Sequence, residues 1–334
     1  MEGSAATLRY VALTPAEIAE TERVLMALFE GRPSTDLDSL MRQAHVAAQE
    51  LPKRVRRALY ELKLNEDALA VCIRNGPVDD QRIGPTPTSL RSPGQAERAT
   101  PEEALHILYA SLLGEPFTWN TIQSGYLIND VIPVPADEAK PLSSGSANPF
   151  GLHTEDAFNP LAGDFLGLMC LRNPDRVSTV ISTVLPGVLP EKALSILSQS
   201  RFIVGANLAH TVHRSADRVP ILFGNMTQPY IRINLNVSAQ VDDDEDARWA
   251  LDLLAKHLEN NARDIVLVSG DCFFLDNFRA PHGRRAFSPR YDGTDRWLKR
   301  LYITSSLRAS RHLRAQTASR LVILDEQSPQ VHQP

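Results

Sequence analysis

His153 and Glu155 stand two apart in the stretch Gly151-Leu152-His153-Thr154-Glu155-Asp156-Ala157-Phe158. Along a strand, residues two apart project from the same face. An imidazole and a carboxylate placed in this way can meet one metal ion. A further histidine would complete a face of two histidines and one carboxylate and leave coordination positions open, the arrangement of non-heme Fe(II) oxygenases. His282, in Ala280-Pro281-His282-Gly283-Arg284, is the candidate for that place. A single histidine says little, since most are surface or core residues. The basic stretch that follows says more: Arg284, Arg285, Arg290, Arg296, Lys299 and Arg300 crowd behind His282. The planar fork of arginine binds carboxylates through two parallel hydrogen bonds. The chemistry expected is therefore a metal beside carboxylate-bearing small molecules.

The elements that must position these residues are legible in outline. Thr14-Pro15-Ala16-Glu17 is a helix start with a capping box, and that helix should run to Gly31. Further helices are expected over Asp36 to Leu51, Val55 to Leu62, Pro101 to Gly114, Pro190 to Gln199 and Asp246 to Leu258, the last behind the acidic cluster Asp242 to Asp246. Strands are expected over Ala68 to Ile73, Tyr126 to Val134, Phe165 to Cys170, Val177 to Leu185, Val219 to Phe223, Tyr230 to Leu235, Ile265 to Ser269, Cys272 to Leu275 and Leu301 to Ser305. Residues 77–101 read as a surface loop, and the chain from Arg308 onward as a polar tail that frays. Helices first, then many short strands with few crossover helices, predict a mainly β chain with α: a double-stranded β-helix (jelly roll) core with a helical N-terminal layer and an insert. The expected organisation is a single domain over residues 1–334, with the helical layer at 1–64, the core at 65–308 and the tail at 309–334.

Bulk composition excludes several classes. A net charge of −5 gives no basic footprint for nucleic acid. No apolar run approaches the roughly 20 residues that span a bilayer, and Met1 to Leu8 lacks the basic start and apolar stretch of a signal peptide. Cys72, Cys170 and Cys272 lie far apart in apolar runs and read as buried free thiols. A cytoplasmic protein acting on a small molecule is expected, with its oligomeric state open.

Four stretches together resemble the clavaminate synthase-like oxygenases: His-Thr-Glu-Asp-Ala-Phe (153–158), Gly-Asp-Phe-Leu-Gly-Leu-Met-Cys-Leu-Arg-Asn (163–173), Asp-Asn-Phe-Arg-Ala-Pro-His-Gly-Arg (276–284) and Tyr-Asp-Gly-Thr-Asp-Arg-Trp-Leu-Lys-Arg (291–300). This Fe(II)/2-oxoglutarate group includes asparagine and arginine β-hydroxylases. Glu155 makes the likeness specific, because most of the wider superfamily has Asp there. The resemblance implies Fe(II), 2-oxoglutarate and O2 as cofactor and co-substrates. It implies His153, Glu155 and His282 as iron ligands, Arg296 for the distal carboxylate of 2-oxoglutarate and Thr179 assisting it, with Ser178 and Thr183 as alternatives. Arg300 would hold the substrate α-carboxylate, and Gln123, Ser143, Ser144 and Ser146 would lie near the amino-acid head. Arginine-acting relatives carry acidic residues near Asn234 and Asn236. The neutral amides here point to an amide, ureido, carboxylate or apolar side chain, since a buried cation without a carboxylate partner is costly. The activity implied is hydroxylation of a free L-amino acid at the β-carbon, in peptide antibiotic biosynthesis. Two other readings of the same residues are a zinc-dependent hydrolase and a metal-free jelly-roll binding module.

Overall fold

The structure, a computed structural model, describes residues 7–66, 68–95, 97–210, 217–236 and 244–324. The chain opens on β1 (Thr7–Ala12) and α1 (Pro15–Phe29). The capping box of α1 is formed: the Glu17 N–H donates to the Thr14 hydroxyl, and the Thr14 N–H donates to the Glu17 carboxylate. After β2 (Thr35–Asp36) come α2 (Leu37–Ala47) and α3 (Lys53–Leu64). β3 (Ala68–Arg74) is buried along almost its whole length, as befits a strand covered on both faces. The loop beyond it holds a one-turn helix, α4 (Asp80–Ile83), and a short strand, β4 (Arg98–Ala99).

α5 (Pro101–Leu113), capped by Thr100 and Glu103, is buried nearly all round. Then follow β5 (Glu115–Trp119), β6 (Asn129–Val131), β7 (Phe150–His153), β8 (Phe165–Arg172) and β9 (Thr179–Ile181). An insert carries α6 (Glu191–Leu197), the hairpin of β10 (Leu222–Phe223) and β11 (Tyr230–Ile231), and α7 (Glu245–Asn260), which Asp244 caps. The chain closes with β12 (Arg263–Ile265), β13 (Cys272–Asp276), β14 (His282–Arg284), β15 (Trp297–Thr304) and β16 (Leu321–Val322).

The architecture is mixed α/β, built on two sheets. The larger runs β1-β3-β13-β8-β15-β5-β16, with β6 also on β15; the smaller runs β12-β9-β14-β7. From β12 to β15 the chain alternates between them. Leu166, Leu168, Phe273, Leu275 and Leu298 of the larger sheet share one core with Ile181 and Ile265 of the smaller. The other face of the larger sheet, through Met169, Phe274 and Leu301, packs on α1, α2, α3 and α5. The outer side of the smaller sheet, through Leu152 and Val180, packs on α6 and α7. Each inner strand is thus apolar on both faces. Gly167 of β8 marks where α5 crosses: a Cβ there would stand 2.6 Å from His106 Nε2.

Several elements depart from expectation. β1 pairs in parallel with β3 and extends the large sheet, although Thr7–Ala12 is half-exposed and carries no strong apolar pattern. The strand expected over Ile265 to Ser269 ends at Ile265, and that expected from Leu301 starts four residues earlier, at Trp297. The tail is not frayed up to residue 324: β16 pairs with β5, and Val322 and Leu324 are buried. Asp242 and Asp243 of the acidic cluster lie outside the described residues. The three cysteines are buried free thiols, as expected. Among the described residues, no helix is long and apolar enough to cross a membrane.

Candidate metal centre and its cavity

His153 is the last residue of β7, and His282 the first of β14, directly opposite it in the sheet register. The strands approach closely because Gly283 has no side chain: a Cβ there would meet the Phe150 carbonyl oxygen at 2.4 Å. The two imidazole rings lie 4.4 Å apart, centre to centre. Glu155 follows just past the end of β7, its Oε1 3.3 Å from His282 Nε2 and 3.8 Å from His153 Nε2. One ligand atom from each of the three residues falls within 4.8 Å of the others, and all three residues are buried.

These residues fit a metal ion. The His153 Nδ1–H donates to the Gly151 carbonyl at 2.9 Å, which leaves Nε2 as the ligand. Burial, and then the neighbouring His153, pull His282 down to about 4, so it is a neutral imidazole at physiological pH. Burial would raise the Glu155 carboxyl, but Arg300, His153 and His282 hold it well below the usual carboxylate range. Its Oε2 is buried and has no hydrogen-bond partner among the described residues. Such an orphaned oxygen is expected to have a ligand.

The three residues open on a cavity whose lining includes Val131, Leu166, Leu168 and Leu298. Three arginines reach its wall: Arg284, Arg296 and Arg300. Arg296 Nη2 donates to Thr179 Oγ1 at 3.3 Å, so of the three hydroxyl candidates it is Thr179 that meets it. Arg284 donates only to backbone carbonyls, of Arg285 at 2.7 Å and of Asn148 at 3.3 Å, with weaker contact to that of Ser146. Neither of these two meets a carboxylate among the described residues. Burial pulls Arg296 down to about 10, and burial with Arg296 nearby does the same to Arg284. Both remain charged at neutral pH, and both lack an anion. Arg300 Nη1 donates to Glu155 Oε1 at 3.3 Å, while its Nη2 donates to Asn129 Oδ1 at 3.3 Å.

The remaining residues singled out in the sequence stand elsewhere. Asn234 and Asn236 do not line the cavity. Their segment runs along the free edge of β7, where the Leu235 N–H donates to the Leu152 carbonyl. There the Asn236 side chain accepts from the Gly151 N–H and donates to the Gly151 carbonyl and to Asn234 Oδ1. Its amide is fully engaged in holding the backbone two residues before His153. The Gln123 amide pairs with the Asp130 backbone in both directions. The Ser144 hydroxyl donates to Asp137, and Ser146 offers its carbonyl to the Phe287 N–H. Of that serine loop, only Ser143 reaches the cavity wall.

Two residues that the sequence did not single out hold the site in shape. Asn277 accepts from the Glu155 N–H at 2.7 Å and donates to the Glu155 carbonyl at 3.1 Å, clamping that peptide. Asn129 orients Arg300. Asn277 lies in the stretch 276–284 that carries the family likeness, though no role was implied for it there; Asn129 lies outside all four stretches. Arg284, two residues after His282 in the basic stretch, is buried with only carbonyl oxygens as hydrogen-bond partners among the described residues.

Residues 209–302 match the model of the taurine catabolism dioxygenase TauD, TfdA family. Enduracididine beta-hydroxylase of Streptomyces hygroscopicus is 34% identical, over 92% of this chain and 97% of that protein. Clavaminate synthase 2 of Streptomyces clavuligerus is 31% identical, over 81% of this chain and 85% of that protein. The chain is a clavaminate synthase-like oxygenase. Membership of these 2-oxoglutarate-dependent dioxygenases extends to the fold. The non-heme iron oxygenase OrfP, solved with Fe, succinate and (3R,4R)-dihydroxy-L-Arg, superposes with a TM-score of 0.87 at 37% identity, covering 94% of this chain and 99% of that one. In OrfP with Fe and alpha-ketoglutaric acid the TM-score is 0.86. A mixed α/β oxygenase with a buried His-Glu-His centre and a guanidinium-lined cavity is consistent on every count.

Proposed function

We propose that this chain hydroxylates a free L-amino acid at its β-carbon, with Fe(II) held by His153, Glu155 and His282 and with 2-oxoglutarate held at its far carboxylate by Arg296 and Thr179. The observation that carries this reading is the pairing, in one cavity, of an orphaned Glu155 oxygen with two buried guanidinium groups that have no carboxylate. A dicarboxylate that also binds the metal answers both. When bound, iron with 2-oxoglutarate and O2 supplies the oxidation that turns a C–H bond into C–OH, as 2-oxoglutarate becomes succinate and CO2.

The chain's own residues do the aiming. Arg300, fixed by Asn129 and by Glu155, is positioned to take the substrate α-carboxylate. That would set the α- and β-carbons beside the metal and keep the rest of the amino acid outward. Anchoring matters because the oxidant attacks whichever carbon is nearest. The apolar floor of Leu166, Leu168 and Leu298 excludes water from the reacting bond. Arg284 ties residues 146–148 to the strand of His282, closing one wall.

The alternation of the two sheets supports a jelly roll as the core of a single oxygenase domain, whose larger sheet also takes in β1 from the N-terminal layer and β16 from the expected tail. The likeness to enzymes of Streptomyces named for enduracididine and clavaminate supports a place in peptide antibiotic biosynthesis, in the cytoplasm. The zinc hydrolase and metal-free alternatives leave the unpaired guanidinium groups unexplained.

Asn234 and Asn236 stand off the cavity wall, so their amides do not select the side chain; the cavity itself holds three guanidinium groups against Glu155, which favours an uncharged side chain. We therefore favour amide or ureido amino acids over lysine, and the likeness to enduracididine beta-hydroxylase adds a cyclic-guanidine amino acid as a candidate. A screen of free L-amino acids for succinate release, with product mass and position of oxygen read alongside, tests this. Asparagine, glutamine, citrulline or a cyclic-guanidine amino acid should stimulate turnover more than lysine. A clear lysine preference would overturn the substrate reading, and no stimulation by any amino acid would overturn the hydroxylase.

A further inference from the structure

Behind the metal centre lies a polar array that no part of the proposed reaction uses. The Trp119 indole N–H donates to Asp156 Oδ2, and the His210 Nε2–H donates to Asp156 Oδ1 at 2.9 Å. Thr121 Oγ1 meets the other nitrogen of that ring, Nδ1, at 2.7 Å. Phe158 packs edge-on against the imidazole, with ring centres 4.9 Å apart. Trp119, Thr121, Asp156 and His210 are 0–4% exposed. They come from three separate parts of the chain: β5 and the turn after it, the residue following Glu155, and the insert after β9.

The order hydroxyl, imidazole, carboxylate is that of a nucleophilic triad. Here Thr121 is 4% exposed and lines no cavity described, so no acyl group could reach it. The array is a brace. Asp156, with φ of +52°, sits in the left-handed region directly after Glu155. Residues with side chains are uncommon there, Asp less so than most, and this one is fixed by hydrogen bonds to both its carboxylate oxygens. Trp119 and His210 each hold one carboxylate oxygen. Asn277 clamps the peptide of Glu155 from the other side. The carboxylate of Glu155 is thus aimed by its neighbours and not by strand β7, which ends two residues earlier at His153.

We propose that His210 is a positioning residue for the metal centre: through Asp156 it sets where the Glu155 carboxylate stands, and Thr121 sets the orientation of the His210 ring. The inference rests on the reading of His153, Glu155 and His282 as metal ligands. Groups hydrogen-bonded directly to a metal ligand change metal affinity or activity by about 10–100-fold; His210 acts one residue further out, through Asp156, so the low end of that range is expected.

The test is a titration with Co(II) in place of iron, reading affinity and the visible ligand-field spectrum, with circular dichroism as the check on folding. H210F keeps a ring against Phe158 and loses both nitrogens. It should bind Co(II) about 10-fold more weakly, with an altered spectrum. H210Q, whose amide N–H reaches toward Asp156, should recover much of the affinity and the spectrum. T121V should show a smaller loss of the same sign. A folded H210F with wild-type affinity and spectrum would overturn the proposal, and so would an H210Q no better than H210F. If H210F does not fold, T121V decides alone, since it removes a single hydroxyl. Wild-type affinity and spectrum in T121V would then overturn it. A wild-type protein that fails to bind Co(II) contradicts the metal centre itself, a separate outcome.

Discussion

The two faces of β15 carry cations of similar size and burial, and they are arranged in opposite ways. On the face toward the helices, Lys299 reaches Asp130 at 2.6 Å and Glu103 at 2.9 Å, and Asp130 also accepts from the Trp297 indole. On the face toward the smaller sheet, Arg300 has the neutral Asn129 oxygen and, as its one carboxylate among the described residues, the Glu155 oxygen that sits at the metal centre. Arg296, just before the strand, has a threonine hydroxyl. A buried charge without its counterion is costly. The helical face carries no such debt to a ligand, because its charges balance within the fold. The inner face leaves positive charge waiting for an anion from outside. Buried and paired means architecture; buried and unpaired means a binding site.

The largest effect expected on this contrast comes from the ligands. H153A or H282A should lose amino-acid-stimulated succinate release entirely, and lose metal in equilibrium dialysis, while the helical face keeps the chain folded by circular dichroism. Next comes K299M. It leaves Glu103 and Asp130 with Arg91 as their one cation among the described residues, and removing one member of a buried ion pair costs up to about 3–5 kcal/mol. Thermal melting should show that loss, while the KM for 2-oxoglutarate in the surviving enzyme stays near wild type. R296Q should do the reverse. Losing hydrogen bonds to a charged partner costs about 1.5–3 kcal/mol, read as a KM for 2-oxoglutarate raised about 10–150-fold, with no fall in the melting temperature of the ligand-free protein. Equal effects of K299M and R296Q on both measurements would erase the distinction between the faces.

The smallest effect concerns pH. Burial pulls His282 down to about 4 and His106 to about 3. Below about pH 6.5 the unfolded chain takes up protons at these histidines that the folded chain refuses. The stability of the metal-free protein is therefore full above that pH and declines as pH falls toward 4 and then 3. His106 packs under the large sheet against Phe274, away from the cavity. H106Q should flatten the acid end of this slope in thermal melts without changing the affinity for metal.

Local patterns made much of this legible. The capping boxes of α1 and α5, the continuous apolar runs of β3 and β8, and the spacing of His153 and Glu155 each reside in a few neighbouring residues. Arg296 and Thr179 also meet as the family likeness implied. Partners distant in sequence were not legible. Asn277 clamps Glu155 and Asn129 orients Arg300 across more than a hundred residues, and an asparagine in a sequence does not announce which peptide it will hold. For the same reason Asn234 and Asn236 were read toward a substrate, where the fold turns Asn236 onto Gly151. β1 escaped notice because an edge strand needs only one apolar face.

The most direct test of the account is the binding of 2-oxoglutarate under nitrogen, by calorimetry, with and without Mn(II) standing in for iron. The unpaired guanidinium group and the three ligands should act together: tight binding with the metal present, much weaker binding after chelation, and weak binding in both cases for R296Q. Equal affinity with and without metal, or no binding at all, would contradict it.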